Sequence, residues 1–425
     1  MTCRRTRVLV GVVLALMLAS RVSAQETRVT GFVETDNIGY VEPDEADQRA
    51  GRNELLTQVD GFVAFGRPVR AFGSVELRVD FADHNRDRVY VEELYADFVH
   101  GPLDLRVGRQ IIAWGKADLV NPTDHLAPRD FTDPLESDEE RLGVLAVRPR
   151  IQRGGVLFEG AIVPVFTASI MPAVHSRWAP PFPVRAPNPL HPGQMMRLTY
   201  EFMPPREPAT TFGNMQYATR VSGSARGWDV SASYFDGWED QPRFDMELSI
   251  SDAGTGTVRI TPEHLRKRAV GGDVATVVRS FTVRAEAAYI RPDPVQGPDY
   301  VQYVLGAERT FGDMLGSGGT FLLVQWIQSI VPSNFVAAPL DFNYLFQKAT
   351  TVRLQHNVTA VAQIAVEGLY EWERKGYYVQ PAAFYRFGDH LRVEGLMDLL
   401  GGREAAFFGI FADNRRLQVR MRYSF

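Results

Sequence analysis

The segment Arg416-Leu417-Gln418-Val419-Arg420-Met421-Arg422-Tyr423-Ser424-Phe425 (416–425) alternates without a break. Leu, Val, Met, Tyr and Phe occupy the odd positions; Arg, Gln, Arg, Arg and Ser occupy the even ones. Side chains two apart share one side of an extended strand, so this strand has one apolar face and one polar face.

The same period recurs upstream. Val69, Ala71, Gly73, Val75, Leu77, Val79 and Phe81 oppose Arg70, Ser74, Glu76, Arg78 and Asp80. Phe281, Val283, Ala285, Ala287 and Tyr289 alternate with Thr282, Arg284 and Glu286, and Ala362 to Trp372 repeats the pattern. Strands of roughly 10–13 residues match what a tilted strand needs to cross hydrocarbon. Aromatics at their ends, such as Tyr289, Tyr370, Trp372, Tyr423 and Phe425, sit where interfacial girdles belong. Short turn signals (66–68, 101–102, 223–227, 279–280, 311–319, 387–390) alternate with longer polar segments (36–52, 82–88, 115–141, 166–213, 237–266, 291–298, 331–347, 401–414). This is the short-turn, long-loop rhythm of an all-β transmembrane antiparallel barrel. The count is about 18 strands, with 16 as the alternative if the weak strands near 142–149 and 348–358 are merged.

The other end of the chain agrees. MTCRRTR is a basic n-region, Val8 to Ala19 an apolar run, and Val22-Ser23-Ala24 a small-residue cleavage site. Residues 1–24 therefore read as a signal peptide and 25–425 as the barrel. Cleavage removes four arginines (Arg4, Arg5, Arg7, Arg21) and no acid, taking the net charge from −5 to −9. It also removes Cys3, the sole cysteine, which excludes a disulfide framework. A negative net charge argues against nucleic acid as a partner.

Four segments carry a resemblance: Val91–Phe131 (VEELYADFVHGPLDLRVGRQIIAWGKADLVNPTDHLAPRDF), Ser176–Pro180 (SRWAP), Ser233–Asp240 (SYFDGWED) and LQVRMRYSF at the end. Together they resemble a family of proteobacterial outer-membrane proteins catalogued as a domain of unknown function. Its members are similar to porins and are often encoded beside RND (MMPL-like) exporters. The resemblance covers most of residues 25–425, and its most specific part is the block running from Gly108 through Trp114-Gly115-Lys116 to Asp130. It implies a barrel in the cell outer membrane, in contact with lipid and lipopolysaccharide, with a transport-related role and no cofactor. Phe425 resembles the signal by which such barrels are delivered to the assembly machinery.

Two classes of chemistry compete for the charged residues. A hydrolase would need a nucleophile, a base and an orienting group; His125 beside Asp124 and Asp118 is the nearest approach, and a solvated loop histidine explains it better. No histidine pair or cysteine pair has zinc spacing, and the acidic run Glu136–Glu140 is better explained as a solvated loop than as a calcium site. The lumen is the stronger candidate. By phase, Arg70, Arg78, Asp80, Arg106, Arg284, Glu286, Arg416, Arg420 and Arg422 point inward, where charge on the wall biases which solutes enter. Residues 115–141 form the third long loop, after the fifth strand. In porins that loop folds into the barrel, so Lys116, Asp118, Asp124, His125, Arg129 and Asp130 are expected to line a constriction, with Asn121-Pro122 and Ala127-Pro128 setting the bend. The expected function is diffusion of small solutes through a charged, narrowed lumen. The alternative is a conduit for hydrophobic molecules serving a periplasmic exporter; an outer-membrane hydrolase comes third.

Overall fold

A computed structural model describes residues 26–42, 49–66, 68–136, 141–251, 254–295, 297–312, 318–335 and 344–425. The expected signal peptide 1–24 lies outside these residues, as do 137–140 of the acidic run.

The chain begins with seven strands: β1 (Glu26–Tyr40), β2 (Gly51–Phe65), β3 (Val69–Asp80), β4 (Arg88–His100), β5 (Leu103–Gln110), β6 (Val144–Arg153) and β7 (Val156–Val163). Two short strands, β8 (Arg185–Pro187) and β9 (Met195–Phe202), follow outside the ring. Next come β10 (Gln216–Ala225), β11 (Trp228–Trp238) and an outer hairpin, β12 (Arg243–Ile250) with β13 (Gly256–Glu263). The ring resumes with β14 (Arg266–Val278), β15 (Phe281–Pro292), β16 (Tyr300–Phe311), β17 (Thr320–Ile330) and β18 (Lys348–Asn357). It ends with β19 (Ala362–Glu371), β20 (Tyr377–Phe387), β21 (Leu391–Gly401) and β22 (Arg416–Ser424). Eighteen strands pair antiparallel with their neighbours, and β22 pairs back onto β1, from Phe32 opposite Ser424 to Tyr40 opposite Arg416. Closure leaves no strand edge unpaired, which is what a sheet in hydrocarbon requires.

The strand phases read from sequence hold. On β22, Leu417, Val419, Met421 and Tyr423 are about half exposed on the outside, while Arg416 and Gln418 are buried inside. Phe425 continues the pairing, exchanging two backbone hydrogen bonds with Gly31 at 3.0 Å each. Its ring lies 2.9 Å from where a Cβ on residue 31 would be, so that position accepts only glycine.

One strand breaks phase. Val89 and Val91 face outward at the start of β4, yet Leu94 and Phe98 face outward further on. The register between β3 and β4 slips at Ser74/Val75, where Ser74 stands opposite Glu93 and Val75 opposite Val91. Glu92 is therefore the extra residue of a β-bulge. The slip turns Glu93 inward, where its carboxylate accepts the Ile111 backbone N–H at 2.8 Å.

Two long connections are more ordered than their polar, proline-rich sequences suggest. Residues 166–213 and 237–266 were expected as loops; they carry β8, β9, β12 and β13, which form a separate four-stranded sheet. The apolar core is also unusual in place, because it lies inside the ring. One buried cluster joins Ile112, Trp114 and Leu126 to small inward residues such as Ala146, Ala161, Ala218, Ala269 and Ala288. A second joins Leu135 and Trp178 to Ile327, Leu369, Leu400, Phe407, Phe408 and Phe411.

Candidate functional site

The connection between β5 and β6, residues 111–143, folds into the ring and crosses it; it is longer than the expected 115–141. Its root is fixed by the Glu93 bulge. Ile112 and Leu126 are then buried against the inner wall, each contributing about 1.5–3 kcal/mol by leaving water. Trp114 is also buried, and its indole N–H donates to Glu159 on β7. The tryptophan thus sits inside the ring and not in an outer girdle.

Gly115 turns the chain with φ +100°. A Cβ there would lie 2.6 Å from the Glu286 carboxylate, so glycine is required by both conformation and space. Just beyond it, Glu286 on β15 gathers the strap. Its carboxylate accepts backbone N–H groups of Lys116 (2.7 Å), Ala117 (3.1 Å) and Thr123 (2.8 Å), and the Thr123 hydroxyl at 2.9 Å. The Lys116 ammonium is 3.1 Å from Asp273 on β14, and Gln325 on β17 donates to Asp118 at 3.0 Å.

The middle of the strap holds itself together. The Asp124 carboxylate pairs with Arg141 at 3.0 Å and lies 3.5 Å from Arg129. Residues 129 and 141 bridge antiparallel, and Ile170 pairs alongside Asp130. His125 is stacked on Phe235 with ring centroids 5.4 Å apart and hydrogen-bonds the Pro122 carbonyl. Burial, reinforced by the Lys267 charge, holds that imidazole well below its ordinary pKa, so it is neutral. This packing differs from the solvated, charged histidine of a constriction wall or a hydrolase base.

The far end is a clasp of charges. Asp130 pairs with Arg88 of β4. Asp133 lies 2.9 Å from Arg52 of β2 and also pairs with Arg416 of β22, which reaches Asp398 of β21 at 2.5 Å. Glu136 pairs with Arg52 and lies 3.6 Å from Arg78 and 3.8 Å from Arg86. Around the closed ring β2 stands nine strands from β15 in either direction. The strap therefore runs across a full diameter, from hydrogen-bonded amides on one wall to ion pairs on the other.

Most of the residues expected in the lumen are held in ion pairs. Arg78 lies 3.0 Å from Glu54, and Asp80 3.2 Å from Arg86. Arg106 meets Asp97 at 2.7 Å; Arg284 pairs with Glu308; Arg420 lies 3.3 Å from both Glu34 and Asp36; Arg422 is 2.5 Å from Glu34. Arg70 is exposed near the short-turn end. The run of arginines on β22 is thus matched by acids, Arg420 and Arg422 by β1 and Arg416 by Asp398 and Asp133, and it presents no bare positive strip. Among the described residues no group of three or more His, Cys, Asp or Glu is arranged to hold a metal ion.

The clasp has a definite pH response. Burial pushes the Glu136 and Asp130 carboxyls up, but Arg52, Arg86, Arg78 and Arg416 around the first, and Arg88 with the Thr132 hydrogen bonds at the second, overcome it and hold both below their usual values. Depressed carboxylates stabilise fully above the unfolded pKa, about 4–4.5, and lose that contribution as pH falls toward the folded value. Asp124, raised by burial against Arg141 and Arg129, titrates the opposite way. The expected result is that the hold of Asp130 and Glu136 on the strap is constant above about pH 4.5 and weakens below it. Amide exchange around Asp130 that already speeds up near pH 6, beyond the intrinsic rate change, would count against the clasp.

The strap leaves space on both sides. Toward β1–β3 and β20–β22 is a polar cavity of about 70 Å³; toward β14–β20 lies one of about 250 Å³.

Comparison with known proteins gives a family. Residues 74–380 match the model of a family described as "Protein of unknown function (DUF1302)". No curated protein matches the sequence. Among solved structures, two engineered variants of the Rhodopseudomonas blastica porin align over 94% of this chain and all of theirs, at 9% and 10% identity with TM-scores of 0.45 and 0.44. A structure titled "Asymmetric conductivity of engineered proteins" aligns similarly, at 11% identity and a TM-score of 0.45.

Proposed function

The chain belongs to the DUF1302 family of proteins of unknown function, and we propose that it is an outer-membrane channel, without catalytic activity, through which small solutes diffuse past the strap. The apolar outside of the ring fits lipid, and the paired charges inside fit a hydrated lumen. In this reading the long-loop end faces outward and the short turns face the periplasm.

The observation that carries the proposal is the strap itself. A connection of 33 residues held across the diameter at both ends narrows a ring of this size, and a cavity flanks it on either side. An enzyme reading finds less support, because Asp124 is spent on Arg141 and Arg129 and not on His125. Purified protein reconstituted in planar bilayers is expected to give stable, reproducible single-channel steps. A correctly folded barrel that stays electrically silent and passes no small sugars into liposomes overturns the channel.

A further inference from the structure

The larger cavity differs from the rest of the lumen. It lies between strap residues 119–135, the segment 345–346, the helical turn Phe407–Ile410 and the inner wall of β14–β20. One side is apolar, formed by Leu119, Val120, Phe346, Tyr378, Phe407 and Phe408. Phe346 and Tyr378 both stack on Phe408, with interplanar angles of 21° and 16°. These nearly parallel rings form a stacked apolar face, with centroids 5.8 and 5.5 Å from that of Phe408, on one side of the cavity.

The other side is charged but compensated. Acidic and basic side chains line it: Asp124, Arg129, Glu239, Asp240, Lys267 and Glu367. Lys267 sits 2.8 Å from Glu239 and 4.0 Å from Asp240; Asp124 pairs with Arg141 and Arg129; Glu367 lies 2.8 Å from Arg353. A ligand carrying net charge would shed water here and meet only charges already matched, a cost with no return. Uncharged hydrogen-bonding groups are available, in the amides of Gln302 and Gln380.

We propose that this cavity is a binding subsite for one small, uncharged, mainly apolar solute with a single hydrogen-bonding group, of the class of aromatic or alicyclic alcohols. Its about 250 Å³ exceeds the roughly 150 Å³ that accommodates benzene in a dry engineered cavity, and so suits two fused rings. The apolar body lies against the face formed by Phe346, Phe408 and Tyr378, and the hydroxyl faces the amide side. The inference rests on the channel reading only in making this solute a transported one; binding itself does not require conduction.

The test uses protein in lipid nanodiscs, with empty nanodiscs as the baseline for partitioning. 2-Naphthol, naphthalene-2-carboxylate and glucose are titrated in turn, followed by naphthyl fluorescence or calorimetry. Saturable 2-naphthol binding at least tenfold tighter than the carboxylate, with no glucose binding, is expected. Phe408→Ala should weaken 2-naphthol at least fivefold. Gln302→Trp, from the opposite wall, should block the cavity and do the same, so a folding failure of one variant leaves the other decisive. Equal affinity for the carboxylate, or naphthol binding unchanged in a folded variant, overturns the subsite. Ion conduction with no naphthol binding removes the subsite and keeps the channel; naphthol binding to a silent barrel does the reverse.

Discussion

Replacing Arg416 with alanine is expected to weaken the strap's far end by about 3–5 kcal/mol, the usual result of removing one member of a buried ion pair. Its guanidinium is almost wholly enclosed and joins Asp133 of the strap to Asp398 of β21. Alanine leaves Asp398 without that cation and Asp133 with Arg52 alone on this side. Lysine would not restore the junction, since a single ammonium lacks the planar fork that reaches two carboxylates at once. In bilayers the variant should show larger, noisier conductance steps, because a strap loosened at one end fluctuates more. Protease should also cut within 111–143 while the ring stays intact. Conductance and cleavage both matching the parent protein would show that the clasp does not hold the strap.

The second large effect is at the opposite wall. Glu286→Ala removes the acceptor for three backbone N–H groups and one hydroxyl. Orphaned buried donors cost about 1–3 kcal/mol each, so a loss of about 4 kcal/mol is expected locally. Hydrogen exchange reads this directly: the amides of Lys116 and Thr123 should exchange about a thousandfold faster, at about 1.4 kcal/mol per decade, and that of Ala117 less so because it keeps Asn121 Oδ1 at 3.1 Å. Glu286→Gln keeps one oxygen but turns an NH2 toward donors, and should fall between. The two variants separate the anchors, since Arg416→Ala should leave these three amides protected. Exchange unchanged in Glu286→Ala would mean that the strap is held there by packing around Trp114 and Leu126 instead.

The ring was readable because lipid enforces period two on every strand, and the phase of 416–425 or 281–289 suffers no competing demand. The strap was half readable. Prolines and mixed charges around 114–131 announced an unusual loop, yet its partners are tens to hundreds of residues away; Asp133 and Arg416 are 283 apart. No local pattern records such a pairing, so Arg52, Asp133 and Glu136 passed as ordinary polar residues. The inner apolar seat was hidden for a different reason. Ala146, Ala161, Ala218, Ala269 and Ala288 are small enough to occur on either face of a strand, and only the packing of Trp114 and Leu126 shows which side needs them. The β4 bulge is invisible for a third reason, since a single inserted residue merely looks like imperfect alternation between Val91 and Leu94. Ser176–Pro180 stood out only by resemblance. Its Arg177 lies 4.0 Å over the Tyr40 ring, donates to the Glu42 and Asp413 carbonyls at 2.7 and 2.8 Å, and bonds Asn414 at 3.0 Å.

The clasp also imposes an order on biogenesis. Asp133 reaches both Arg52, on the second strand, and Arg416, on the strand that pairs with the first. Those two arginines come together only when β22 has zipped onto β1. Contacts so far apart in the chain form late, because each must await a long loop closure. Until the seam joins, the strap has its Glu286 anchor and its pairs with Arg52, Arg78, Arg86 and Arg88, but lacks the bond from Asp133 to Arg416. The paired bonds of Asp133 to Arg52 and Arg416 are therefore a record that the cylinder has been completed.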